Sequence, residues 1–64
     1  MRLTEFWTRM QEHFGVAYAD SIATDQVLGE LGGRSVREAL AAGDDPKVVW
    51  RAVCAAFDIP VRNR

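Results

Sequence analysis

The sequence is poor in the residues that make covalent cross-links and metal sites, and it has no long apolar run. A single cysteine and a single histidine among 64 residues exclude an internal disulfide and leave no second ligand at metal-binding spacing. No positively charged start leads into the apolar run of a secretory signal. The uninterrupted apolar runs are a few residues long, far short of the roughly 20 needed to cross a bilayer. We therefore expect a cytoplasmic protein that does not span a membrane.

Composition and length indicate one small folded domain. Hydrophobic residues make up 48% and charged residues 27% of the chain, a balance too apolar for disorder. A domain of this size buries only about three fifths of the surface that its unfolded chain exposes. Its stability should therefore be thin, and docking to itself or to a partner would add to it. We predict a single domain over residues 1–60 and a frayed tail over residues 61–64.

Charge is distributed unevenly along the chain. Residues 1–33 carry two basic and five acidic side chains, a net charge of −3, whereas residues 34–64 carry six basic and four acidic ones, a net charge of +2. Such an asymmetry could orient a charged partner. For so few charges, two solvated faces are the favoured interpretation.

The clearest local signals lie in the C-terminal half. Ser35, followed three residues later by Glu38, is a capping box, which fixes the start of a helix. Gly43 is the residue type on which helices commonly end, and Asp45 with Pro46 provides an N-cap and a first helical residue. The sequence thus predicts two helices joined by a corner of two or three residues.

The first helix is predicted from a stripe of bulky apolar residues. Thr4 is the expected N-cap and Gly15 the expected stop, which gives a helix of about ten residues. The apolar positions recur at helical spacing, and they are Leu3, Phe6, Trp7, Met10 and Phe14. A helix this short needs a packing partner to be stable.

The next segment is helical in pattern but changes phase. Tyr18 and Ile22 share one face of an ideal helix. The later apolar residues lie near the opposite face, and they are Val27, Leu28 and Leu31. A break is therefore expected around residues 23–25, with Thr24 or Asp25 as the cap of a short second helix.

The last helix should form the centre of the core. Its buried stripe is predicted to contain Val49, Ala52, Val53, Ala56 and Phe57, with Trp50 at the edge. Lys47 and Arg51 fall on the opposite, solvent side, and Pro60 prevents continuation. No strand-like alternation is visible. The predicted fold class is all-α, a compact bundle of three to five short helices with a helix-turn-helix-like C-terminal pair.

No group of residues matches a catalytic or cofactor site. His13 is interpreted as a half-exposed structural residue and Cys54 as a packed thiol, because no base, second ligand or oxyanion site can be assigned to either. Asp44 and Asp45 are adjacent, so their side chains point apart, and Asp45 is better explained as a cap. We predict a non-enzymatic protein without catalytic residues, cofactors or metal ligands.

Two patterns resemble binding motifs but have simpler explanations. Residues 29–35 place glycines and Arg34 before a helix, as anion sites do. They lack a preceding strand and the known spacings, so two adjoining helix ends are favoured. Ala39, Gly43 and Val49 have the spacing of a DNA-binding helix pair. The acidic start of the second helix and the lack of a basic stripe favour ordinary helix packing.

Several phrases spread over the chain together resemble one family. They are Met1 to Phe6, Val27 to Ser35, Glu38 to Gly43, Pro46 with Val49 to Ala52 and Cys54, and Phe57 to Pro60. In this combination the sequence resembles the small actinobacterial family of unknown function numbered 3046 (DUF3046), over essentially its whole length. The resemblance implies a cytoplasmic, stand-alone helical protein. It implies no activity, because the family brings no motif with a catalytic role.

The leading functional hypothesis is a non-enzymatic interaction module that docks on a protein partner or on itself. Thin stability combined with many large apolar groups motivates this hypothesis. The candidate surface contains Trp50, Lys47, Arg51, Trp7 and Arg34. The alternative is a helix-turn-helix-like DNA-binding protein that uses residues 36–57. Neither hypothesis implies a membrane, a cofactor or a small-molecule substrate.

Overall fold

The computed structural model describes residues 1–59, which form four α-helices around one core. The elements in chain order are α1 (Leu3–Phe14), α2 (Val16–Asp25), β1 (Val27–Leu28), a 3₁₀ turn (Gly29–Leu31), β2 (Arg34–Ser35), α3 (Val36–Ala41) and α4 (Pro46–Phe57). The predicted all-α bundle of three to five short helices is confirmed. No helix in residues 1–59 has the length and apolar character needed to cross a bilayer. The expected stop at Pro60 and the tail over residues 61–64 lie outside the described residues.

Helix α1 begins earlier than predicted and ends where predicted. Its first helical hydrogen bond runs from the Phe6 amide to the Arg2 carbonyl, so Arg2 stands at the cap position and makes no side-chain capping bond. The prediction of Thr4 as N-cap is therefore wrong, because backbone bonding extends the helix past it. Gly15 has a φ of 85°, a conformation that glycine adopts without a steric cost. It separates α1 from α2, as expected.

The break predicted near residues 23–25 is confirmed, but the second helix after it is not. Helix α2 ends at Asp25, and the chain then forms the extended pair β1 with β2 and the 3₁₀ turn between them. Val27 pairs with Ser35 and Leu28 with Arg34 in antiparallel register. Extended backbone changes which side chain faces inward at every residue, so Leu28 is buried while Val27 is exposed. The phase change in the sequence therefore reflects this short strand and not the predicted second helix.

The corner between α3 and α4 has the predicted chemistry. The Ser35 hydroxyl accepts the Glu38 amide at 3.1 Å, and the Glu38 carboxylate accepts the Ser35 amide at 2.9 Å, which completes the capping box. Gly43 has a φ of 93°, which ends α3 in a conformation that a side chain would strain. The Asp45 carboxylate accepts the Lys47 amide at 2.9 Å, and Pro46 is the first residue of α4.

The core is centred on α4, as predicted, but the helix is rotated relative to the expected stripe. The buried residues of α4 are Val49, Trp50, Ala52, Val53 and Cys54. Trp50 is only 2% exposed, so its prediction as an edge residue is wrong, and Ala56, predicted to be buried, is exposed. The rotation follows from α1, because the Phe6 ring packs edge-on against the Trp50 ring with centroids 6.0 Å apart. Phe14 also packs against Phe57 at 5.3 Å.

Candidate interaction surfaces

His13 packs against aromatic rings, and Cys54 is buried. The exposed His13 ring lies 5.6 Å from the Trp50 ring and 6.4 Å from the Phe14 ring, centroid to centroid. Cys54 is fully buried in the core. Among residues 1–59, no three histidine, cysteine or acidic side chains are close enough together to hold a metal ion. The concave parts of the surface, rather than these side chains, are therefore the candidate sites.

A shallow apolar groove lies between α1 and α3. We call it the α1–α3 groove, and it is lined by Leu3, Trp7, Arg37, Leu40 and Ala41 around a volume of about 260 Å³. Leu3 and Trp7 are four residues apart and so share one face of α1. The groove exists because the edge of the apolar stripe of α1 extends beyond the core and only the short helix α3 flanks it.

Arg37 connects three helices at the edge of the α1–α3 groove. Its guanidinium carbon lies 4.8 Å from the centroid of the Trp7 ring, a cation–π contact worth about 0.5–1 kcal/mol at an exposed site. The same side chain donates to the Thr24 hydroxyl at 3.0 Å and forms an ion pair with the Asp20 carboxylate. Its charge is therefore already compensated, and its position over Trp7 is fixed from two directions.

A deeper cavity with a different character lies beside the start of α4. We call it the basic cavity, and it is lined by Met1, Lys47, Trp50 and Arg51 around a volume of about 400 Å³. Lys47 and Arg51 are exposed and lie one helical turn apart on α4. Neither of them makes an ion pair with a carboxylate within residues 1–59.

Trp50 forms one wall of the basic cavity from inside the core. Phe6 and His13 of α1 pack against its ring. The Trp50 indole Nε1–H is buried and has no hydrogen-bond partner within the part of the chain that the structure describes. Buried polar groups in proteins are nearly always paired, and the Arg9 Nε is the other buried side-chain donor without a partner in residues 1–59.

The five residues predicted for an interaction surface do not form one patch. Lys47 and Arg51 are exposed as expected, Trp7 is half-buried, and Trp50 is buried, so it contributes to the basic cavity rather than to an open surface. Arg34 has an internal role. Its Nε donates to the Leu31 carbonyl at 2.8 Å and its guanidinium pairs with Asp44 at 2.6 Å, which fastens the 3₁₀ turn to the α3–α4 corner.

The residues that complete the α1–α3 groove are not predicted from the sequence. Leu3 belongs to the stripe predicted to face the core, yet it is 49% exposed. Arg37 was counted only as a charge, because its partners Asp20 and Thr24 lie 17 and 13 residues away in sequence. The available signal was the surplus of bulky residues on α1, which exceeded what one face of a short helix can bury.

The glycine-containing segment that was weighed as an anion site is used by the fold itself. The Ser35 amide, which would have to face an anion, donates to Glu38. The Arg34 guanidinium is held by Asp44 and the Leu31 carbonyl. The expectation of two adjoining helix ends without a preceding strand is wrong, because β1 precedes this segment and the 3₁₀ turn and β2 occupy it before α3 begins.

Comparison with known proteins identifies a family without an assigned activity. The family model described as "Protein of unknown function (DUF3046)" matches residues 1–62, which confirms the resemblance found in the sequence. No curated protein and no solved structure matches the chain. The geometry of the two concave sites is therefore what a functional proposal has to use.

Proposed function

The chain belongs to the DUF3046 family, and we propose that it is a non-enzymatic interaction module whose α1–α3 groove receives an apolar side chain of a protein partner. The single observation that supports this most is the clustering of incompletely buried apolar side chains. Leu3 is 49% exposed, and Trp7 and Leu40 are half-buried. Isolated exposed apolar residues are ordinary, whereas several in one concavity are typical of an interaction site.

The size of the groove favours a side chain over a metabolite. At about 260 Å³ it lies below the range of roughly 300–1,000 Å³ that is typical of small-molecule pockets. Only Trp7 and Arg37 among its lining residues carry hydrogen-bonding side chains, and the Arg37 guanidinium is already engaged by Asp20 and Thr24. An aliphatic or aromatic side chain fits such a site.

The groove is also organised before binding. Arg37 is held over Trp7 by Asp20 and Thr24, so little side-chain freedom remains to be lost when a partner docks. Tryptophan and arginine are the residue types most enriched among those that dominate interface energies. Binding would in turn stabilise a small domain of thin intrinsic stability by mass action.

The experiment compares two variants with matched positions. Leu3 and Val48 are both about half exposed, at 49% and 53%, and both lie in the first turn of a 12-residue helix, where a negative side chain is tolerated. Leu3 lines the groove, and Val48 lines neither concave site. Tagged wild type, Leu3→Glu and Val48→Glu are used to capture partners from the cytosol of the source organism, and sedimentation measures self-association.

The expected result is a partner retained by wild type and Val48→Glu but lost with Leu3→Glu. If the partner is a second copy, the same pattern appears as a dimer that only Leu3→Glu dissociates. Circular dichroism verifies that both variants fold. Equal capture by all three proteins, or capture by none together with a monomeric wild type, contradicts the proposal.

DNA binding is the second candidate, and the exposed pair Lys47 and Arg51 on α4 favours it. Asp44 and Asp45 at the start of α4 count against it, because this end would enter the groove of the duplex. The test is the anisotropy of a labelled duplex at low salt, with Lys47→Ala/Arg51→Ala as the control variant. The interaction-module proposal predicts no change in anisotropy, and salt-sensitive binding that the double variant loses would support DNA recognition.

A further inference from the structure

At the basic cavity, positive charge without a carboxylate partner in residues 1–59 lies beside a tryptophan whose buried indole donor has no partner among the same residues. Arg9, Arg34 and Arg37 each pair with a carboxylate. Lys47 and Arg51 lie beside the cavity without such a partner among the described residues, and Trp50, whose buried Nε1–H has no partner there either, also lines it. Lys47, Trp50 and Arg51 do not line the α1–α3 groove, to which the proposed function refers.

We propose that the basic cavity binds a carboxylate side chain of an acidic segment in a protein partner, with a neighbouring apolar side chain lying against Met1 and Trp50. The inference rests on the proposed function to the extent that the ligand belongs to a protein. It assigns a second contact site, separate in its residues from the α1–α3 groove.

The charges and their spacing support a compact anion. Lys47 and Arg51 are four residues apart on a helix of 12 residues, so their side chains extend from one face. A guanidinium group can hold a carboxylate through two parallel hydrogen bonds, and an ammonium group adds a point charge. The volume of about 400 Å³ lies within the range of ligand-binding cavities and accommodates a side chain with its neighbour.

The unpaired Nε1–H of Trp50 favours a ligand that carries a hydrogen-bond acceptor. Its Nε1 is closed to solvent, so a ligand oxygen reaches it only when neighbouring side chains move aside. Met1 and Lys47, which line the cavity together with Trp50, are long and unbranched and can adopt other rotamers at low cost. A carboxylate has two oxygens, so one can accept from Trp50 while the other faces Arg51.

A polyanion fits the site less well than a single carboxylate. The net charge of the chain is −1, and Asp44 and Asp45 stand at the same end of α4 as Lys47. Duplex DNA binding requires several positive side chains along the backbone, and this end of α4 combines two positive with two negative ones. DNA binding is therefore an outcome that the experiment has to distinguish.

The experiment titrates the ¹⁵N-labelled chain with two synthetic hexapeptides, one alternating leucine with glutamate and one alternating leucine with glutamine. The glutamate peptide is expected to shift the indole N–H resonance of Trp50 and the amide resonances of α4 around Lys47 and Arg51. The glutamine peptide should not, because it lacks the charge that these side chains recognise. Trp7→Phe assigns the two indole resonances.

Three single variants, each changing the net charge by −1, isolate the local effect. Lys47→Gln and Arg51→Gln should each weaken binding of the glutamate peptide about tenfold, since one charge-assisted hydrogen bond is lost. Ala17→Glu on the exposed face of α2 changes the net charge by the same amount at a residue that does not line the cavity, and it should weaken peptide binding far less. Thermal unfolding verifies that all three remain folded.

The outcomes separate this inference from the proposed function. Leu3→Glu should lose the partner yet still bind the glutamate peptide, because Leu3 does not line the basic cavity. Absence of peptide binding, equal binding of both peptides, or equal weakening by Ala17→Glu overturns the inference. Shifts of the same resonances with duplex DNA but not with the glutamate peptide overturn it in favour of a nucleic acid.

Discussion

Trp7 and Trp50 contact the same phenylalanine but have different environments. The Phe6 ring packs edge-on against both, with centroids 5.4 Å from Trp7 and 6.0 Å from Trp50. Trp7 is half-buried beneath an arginine whose charge Asp20 compensates. Trp50 is buried beside two cations without a carboxylate partner in residues 1–59. The two tryptophans therefore differ in burial and in the charge around them, although both contact Phe6 and both line a concave site.

The largest expected difference is in stability. Trp50→Ala should lower the free energy of unfolding by about 3–5 kcal/mol, because it removes a large side chain from the core and leaves a cavity. Trp7→Ala should cost about 1–2 kcal/mol, since its ring lies at the edge of the core and is only partly buried. Urea unfolding followed by circular dichroism measures both. In so small a domain the first loss is comparable to the whole stability.

Two results would break this comparison. Equal losses for Trp7→Ala and Trp50→Ala would mean that the α1–α3 groove is as essential to the core as the wall of the basic cavity. A Trp50→Phe variant as unstable as Trp50→Ala would mean that ring volume is not what Trp50 contributes.

A smaller effect should be confined to one of the two sites. Ser35→Ala removes the hydroxyl that caps α3, the helix flanking the groove, and should cost about 1 kcal/mol. Amide resonances of Leu40 and Ala41 should shift more than those of Lys47 and Arg51. The matched control is Ser21→Ala on the exposed face of α2, expected within about 0.5 kcal/mol of wild type.

If Ser21→Ala and Ser35→Ala destabilise equally, the capping hydroxyl has no special role. If the shifts in Ser35→Ala are as large in α4 as in α3, the two concave sites cannot be treated as separate.

The smallest expected effect is a pH dependence in the same cap. The Glu38 carboxylate accepts the Ser35 amide, and this bond, helped by the Ser35 hydroxyl and the nearby Arg34 charge, lowers the pKa of Glu38 below its ordinary 4.5. The folded state therefore binds fewer protons than the unfolded state. The stabilisation is present above about pH 4.5 and is lost as the pH falls through the lower, folded-state pKa.

Glu38→Gln tests this contribution, because glutamine keeps the capping acceptor but does not titrate. Urea unfolding should show nearly wild-type stability at neutral pH and a shallower decline of the unfolding free energy below pH 4.5. A decline as steep as in wild type would assign the acid sensitivity to other carboxylates.

The α3–α4 corner could be predicted because its signals are local. Ser35 and Glu38 are three residues apart, and Asp45 caps α4 through an amide two residues away, so sequence spacing fixes these bonds. The same is true of Gly43, whose backbone conformation depends on its own lack of a side chain. The α1–α3 groove was less predictable, because Arg37 is held in place by Asp20 and Thr24, which lie in another helix.

The prediction of a second helix after α2 failed for a similar reason. The apolar residues after α2 do not continue the apolar face of that helix. Both a new helix and a short extended segment account for such a change. Packing made the choice, because α4 and β2 both contact this segment, and the strand followed by the 3₁₀ turn buries Leu28 and Leu31 together. Single-sequence patterns do not contain those contacts.

By itself, the sequence determined the helical class, the breaks at Gly15 and Gly43, and the caps of α3 and α4, because each depends on backbone preferences and bonds within a few residues. Only the tertiary structure decided that Trp50 belongs to the core, that Leu3 and Trp7 remain accessible, and that Lys47 and Arg51 lie beside a cavity. Those outcomes depend on the packing of α4 against α1. Phe6 and Trp50, which make this contact, are 44 positions apart in the sequence.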